Sequence, residues 1–131
     1  MLERFLFDNC MSIELAHALA VLGQEVEHVR DIKELGGKAT DLQIFEYSVK
    51  HGFAVLTTDD QIRKHPEQKA AYLRAGVGGF FIWQGSETKK KTKCDYVQLI
   101  IKAWPEIKRT ARKSGTPFTK HVGRNGRVTN L

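Results

Sequence analysis

The stretch Phe53-Ala54-Val55-Leu56-Thr57-Thr58-Asp59 decides how this chain is read. Phe53–Thr57 is its most apolar run, preceded by Gly52 and followed by Thr58 and then an acid, Asp59. A short continuous apolar run between turn residues suits a strand buried on both faces, as in parallel sheets. Working outward, Arg4–Phe7 repeats the pattern and also stops at an aspartate, Asp8. Gln24–Val29 and Val77–Trp83 read as two further strands, the latter weakened by Gly78-Gly79.

Helical patterns fill the intervals. Ser12 caps a helix through about Leu22, with Ile13, Ala16, Leu19 and Ala20 on one face and Gly23 at its end. Thr40-Asp41-Leu42-Gln43 fits a capping box that opens a helix stopping near Gly52. Asp59 or Asp60 can cap a short helical turn. Pro66 opens a helix through about Ala75, ended by Gly76. Thr88 or Thr92 caps a last long helix carrying Val97, Ile100, Ile101 and Trp104, and Pro105 is expected to kink or restart it. From Gly115 the chain turns polar and reads as a tail or a small added hairpin. Alternating strands and helices argue for an α/β fold, a parallel sheet with helices on both faces.

The chain has 131 residues, 41% hydrophobic and 27% charged, the composition of one soluble domain. No apolar run approaches the ~18 residues of a membrane span, and no signal peptide is visible. Cys10 and Cys94 make no disulfide framework and are read as buried small apolar groups. A cytoplasmic location is expected. The five histidines show no ligand spacing and are read as surface or packing residues; Trp83 and Trp104 are read as core.

The net charge of +6 is unevenly divided. Residues 1–62 hold 5 Lys/Arg against 11 Asp/Glu, a balance of −6, and residues 63–131 hold 16 against 4, a balance of +12. An acidic half suited to a cation is joined to a basic half suited to a polyanion. Lys89, Lys90, Lys91 and Lys93 form the densest basic run, placed in the loop before the last helix. Arg109, Arg112 and Lys113 continue it, and with Arg30 these are the expected phosphate contacts. For Arg30, a surface pair with Asp31 or Glu34 is an equal alternative. Lys120, Arg124 and Arg127 mark the last segment as an RNA-binding arm or as one that orders against a partner.

Asp8, Asp41 and Asp59 are the candidate catalytic and metal-holding acids. In α/β folds functional groups collect where strands end. Three carboxylates meeting there repel one another unless a divalent cation shares them. Mg²⁺ or Mn²⁺ and metal-assisted phosphodiester hydrolysis are therefore the expected chemistry. Each acid also has a structural reading. Asp41 suits a helix dipole and Asp59 and Asp60 suit N-caps, whereas Asp8 has no cap duty.

Phe5-Leu6-Phe7-Asp8-Asn9, His28-Val29-Arg30-Asp31, Asp41-Leu42-Gln43-Ile44 and Val55-Leu56-Thr57-Thr58-Asp59 together resemble the compact PIN-like family, a branch of the PIN-domain nucleases related to VapC-type toxins. The resemblance covers about residues 2–83. It implies a three-layer α/β/α sandwich around a mostly parallel sheet, over residues 1–114, with 115–131 added to it. It implies an acidic pocket of Asp8, Asp41 and Asp59 that holds Mg²⁺ or Mn²⁺ and cleaves RNA. Asn9, Thr57 and Asp60 would support that pocket from behind, and Arg30 matches the arginine after the second strand. An antitoxin partner and a homodimer are implied in the same way. Gln61 stands where members often carry a further acid. That departure favours an alternative, a degenerate PIN-like module that binds RNA or protein without cutting. A phosphotransfer receiver is a third reading, weakened by the missing paired acids after the first strand and the missing strand-end lysine.

Overall fold

The computed structural model describes residues 3–58, 65–84 and 92–131. Its strands are Arg4–Phe7 (β1), Val26–His28 (β2), Phe53–Thr58 (β3), Gly78–Ile82 (β4), Phe118–Val122 (β5) and Val128–Asn130 (β6). They form one sheet in the order β2-β1-β3-β4-β5-β6. Every neighbouring pair is parallel except β5–β6. The helices are Ile13–Val21 (α1), Asp41–His51 (α2), Pro66–Ala75 (α3) and Lys93–Lys113 (α4).

Strand periodicity sorts the core into two layers. Phe5 and Phe7 of β1, Ala54 and Leu56 of β3, and Phe80 and Ile82 of β4 pack with α1 and α4. Leu6, Phe53, Val55 and Phe81 point the other way, toward Ile44 and Phe45 of α2 and Tyr72 of α3. The result is an α/β/α sandwich whose central strands are apolar on both faces. Emptying one of these positions, as in Phe7→Ala, would cost about 3–5 kcal/mol.

The caps follow the sequence. Ser12 Oγ accepts from the Leu15 amide at 3.1 Å. Thr40 and Gln43 close a reciprocal capping box on α2 at 3.2 and 2.8 Å. Gly52 and Gly76 take the left-handed conformation that ends α2 and α3. Thr92 caps α4 through a second capping box with Asp95. Thr88 lies outside the described residues, as does the short turn after Asp59.

Two expectations need correction, and two are filled out by the structure. The second strand is shorter, and Val29–Asp31 forms a 3₁₀ turn. Pro105 lies inside α4 without ending it. Its ring is on the exposed side, while Ile100, Trp104, Ile107 and Ala111 keep one buried stripe running past it. Gly78 and Gly79 lie inside β4, paired with Ala54 and Val55 of β3. A Cβ on Gly78 would fall 2.3 Å from the Phe118 ring, and one on Gly79 2.8 Å from the Tyr72 ring. Aromatic rings from the two layers occupy the space the glycines leave. Of the two readings of the stretch after Gly115, the hairpin holds: β5 and β6 pair antiparallel. Phe118 and Val122 of β5 enter the core, and β5 pairs with β4 along its length.

Candidate active site

The chain leaves β1 for β2 on one side and returns to β3 on the other, so a crevice opens beyond the ends of β1 and β3. Phe7 is in register with Leu56, and the Asp8 amide donates to the Leu56 carbonyl at 3.0 Å. Asp8 is thereby held level with the end of β3. Its Oδ1 accepts from the Asn9 amide at 2.8 Å and its Oδ2 from Thr57 Oγ1 at 3.0 Å. Both carboxylate oxygens are oriented before any ligand arrives.

Asp41 begins α2 and, as a residue, is exposed. Enough protein surrounds its carboxyl group to push its pKa upward, and the negative charge of Asp8 pushes it further. Tyr72 lies buried nearby. Burial first, then the charges of Asp8, Asp41 and Cys10, hold its phenol neutral far above the usual range. Tyr96, which donates to the Met11 sulfur, is shifted upward by burial and by Cys10 and Asp8.

A cavity of about 630 Å³ adjoins Asp8, lined by Asn9, Cys10, Ser12, Arg30, Thr58, Gln84, Thr92, Lys93 and Tyr96, among others. Asp8 adjoins this cavity through Asn9 and Cys10, and neither Asp8 nor Asp41 lines it. The sequence model of a family described as PIN like domain matches residues 3–84. The chain belongs to the PIN-like family. No curated protein and no solved structure matches it. PIN-like domains sit in a nuclease superfamily and generally depend on divalent metals. The matched PIN-like region runs from β1 through β4, so α4 and the β5–β6 hairpin lie beyond it.

The oxygen donors around Asp8 suit a hard cation. Asn9 Nδ2 donates to the Gly37 carbonyl at 3.3 Å, and Asn9 Oδ1 is buried with no hydrogen-bond partner. An acceptor oxygen left over beside a carboxylate fits a metal or its water. Among the described residues no group of three or more His, Cys, Asp and Glu side chains is gathered for a metal. Asp59 and Asp60, which follow Thr58 in sequence, lie outside the described residues.

Two residues of the site escaped the sequence reading. Cys10 is exposed, as is Cys94, so neither is a buried apolar group. Cys10 Sγ lies 3.2 Å from Thr57 Oγ1 and 3.9 Å from Asp8 Oδ2. Its position two residues after a strand-end acid was the available signal. His28 is fully buried. Its Nδ1 accepts from the Arg30 amide at 3.1 Å, so Nε2 carries the proton and donates to the Met11 carbonyl at 2.9 Å. Burial lowers its pKa and keeps it neutral. The ring ties β2 to the loop that carries Asp8, Asn9 and Cys10.

The expected phosphate contacts divide. Arg30 lines the cavity and makes no ion pair among the described residues; Asp31 is engaged by His17 at 2.6 Å. Lys93 is the first residue of α4 rather than a loop residue, and its ammonium meets Glu14 at 2.7 Å. That bond is the main reason the Glu14 carboxyl is lowered to about 2. Arg109 pairs with Glu106, and Arg112 pairs with Glu3 at 2.8 Å. Glu3 precedes β1, so the end of α4, with Lys113, sits at the edge of the sheet opposite Asp8, about 30 Å along the helix. Lys89, Lys90 and Lys91 lie outside the described residues.

Proposed function

We propose that this PIN-like protein is a metal-dependent ribonuclease, with Asp8, Asp41 and Asp59 as its acids and Mg²⁺ or Mn²⁺ as its ion. The observation that supports the reading is the position of Asp8 at the end of β1, both of its carboxylate oxygens held by Asn9 and Thr57. Burial first, and then the nearby Asp8 carboxylate, raise the pKa of Asp41, and a cation shared by the two acids would relieve that. A bound ion would supply Lewis acidity and a water acidic enough to attack a phosphodiester at neutral pH. The chain's own contribution is positional. Asn9 and Thr57 fix the Asp8 oxygens, His28 fixes the loop below them, and Arg30 offers a cation to a phosphate in the adjoining cavity. Asp60, Lys89, Lys90, Lys91 and Lys93 extend the same reading. So does a role as the toxin of a toxin–antitoxin pair, with an antitoxin protein and a second copy as partners.

Gln61 favours a second reading, a PIN-like module that binds RNA or protein without cutting. Cleavage of a mixed single-stranded and structured RNA pool separates the two. Mn²⁺- or Mg²⁺-dependent cleavage by wild type and none by Asp8→Asn is the expected result. Salt-sensitive RNA binding without cleavage by either protein would replace the first reading with the second.

A further inference from the structure

We propose that the turn between β5 and β6 is a second phosphate-binding site, in which Arg124 and Arg127 hold the RNA strand away from the point of cleavage. The proposal rests on the ribonuclease reading above and adds a contact outside the matched region. Phe7 is in register with Leu56, Leu56 with Phe80, and Phe80 with Lys120. Lys120 is therefore three strands from Phe7, about 14 Å across the sheet. Because β5 is parallel to β4, it ends at the same edge of the sheet as Asp8. The Trp83 amide donates to the Val122 carbonyl at 2.9 Å, and Gln84 lines the cavity beside Asp8. Gln84 of that cavity thus follows a residue bonded to Val122, the last residue of β5 before the turn.

The turn is closed by its own backbone. Gly123 N donates to the Arg127 carbonyl at 2.9 Å, Gly126 N to the Gly123 carbonyl at 2.9 Å, and Arg127 N to Asn125 Oδ1 at 3.1 Å. Gly126 passes so close to Lys102 of α4 that a Cβ there would lie 3.4 Å from Lys102 Cγ. Arg124 and Arg127 are exposed and make no ion pair among the described residues. Lys93, Arg109 and Arg112, by contrast, each face a glutamate. From residue 92 onward the acids are Asp95 and Glu106 alone. Asp95 is occupied in the α4 cap and Glu106 with Arg109. No acid from this segment competes with phosphate at the turn. Exposed arginines on a rigid turn at the catalytic edge suit backbone contacts that set register without reading bases.

The test measures binding of a short fluorescein-labelled single-stranded RNA to the full-length Asp8→Asn protein across a salt series. Arg124→Ala/Arg127→Ala in that background is expected to weaken binding about tenfold. It should also flatten the slope of log K against log salt by about 1.4, or 0.7 per lost phosphate contact. Lys50→Ala/Lys108→Ala removes the same charge at the opposite edge and is expected to leave the slope unchanged. An unchanged slope in the arginine variant overturns the proposal while leaving the ribonuclease reading intact. So does an equal change in both variants, which would mean bulk charge rather than a site. If the parent protein binds no RNA at all, both readings fall together.

Discussion

Thr57 Oγ1 donates to Asp8 Oδ2 across 3.0 Å, joining the ends of two neighbouring parallel strands at the point where the carboxylate must be held. Thr57→Val keeps the shape and removes the donor. The variant is expected to lose about 1–3 kcal/mol, since a hydrogen bond to a charged group is lost. Mn²⁺ affinity should fall 10–100-fold, as for other supports of a ligand. Thr57→Ser should recover most of both. Urea denaturation and Mn²⁺ titration check this, and unchanged Mn²⁺ affinity in Thr57→Val would count against it.

Asp41 is the acid whose charge the fold resists. A carboxyl whose pKa is raised on folding keeps a proton that the unfolded chain, with a pKa near 3.9, releases. Stability is therefore highest below that value and falls as pH rises through the raised pKa. Asp41→Asn should lack this fall. In metal-free buffer at neutral pH it is expected to be more stable than wild type, and Mn²⁺ should then stabilise it less. A variant less stable than wild type at neutral pH would contradict the argument.

His28 titrates in the opposite sense. Its folded pKa is lowered, so the unfolded chain takes up a proton first as pH falls below about 6.5. Stability from the neutral ring is complete above that pH and is lost as pH drops toward the lowered folded value. Denaturation midpoints between about pH 5 and 7 should fall for wild type more steeply than for His28→Gln. Equal slopes would show that other groups govern this window.

Gly78 and Gly79 give a steric test of the sheet. Gly78→Ala drives a methyl into the Phe118 ring and Gly79→Ala into the Tyr72 ring. Each is expected to cost about 1–3 kcal/mol. Thermal melting of the two variants checks this. No loss in Gly78→Ala would argue against β5 lying beside β4.

Local signals carried most of the fold. The apolar runs at Phe5–Phe7 and Phe53–Leu56, the Thr40/Gln43 box, Pro66 and the glycines after α2 and α3 are all set by neighbours in sequence. Thr92 could be told from Thr88 only through its bond partner Asp95. What stayed hidden depends on distant contacts. β5 is five residues with a lysine and a histidine in it, and its place comes from pairing with β4 about forty residues earlier. Pro105 does not restart the helix, because the apolar stripe outweighs one missing helical bond. In the site, Asp8 and Asp41 were legible as a strand end and a helix start. The roles of Cys10 and His28 were not, because neither shows any spacing pattern; each acts through a partner found only in the folded chain, Thr57 and Met11.

The most direct test of the central claim is calorimetric titration of Mn²⁺ into metal-free wild-type and Asp8→Asn protein, with folding verified for both. Saturable binding by wild type, weakened at least tenfold by Asp8→Asn, is the predicted result. Equal affinity in the two proteins would contradict a metal centre built on Asp8.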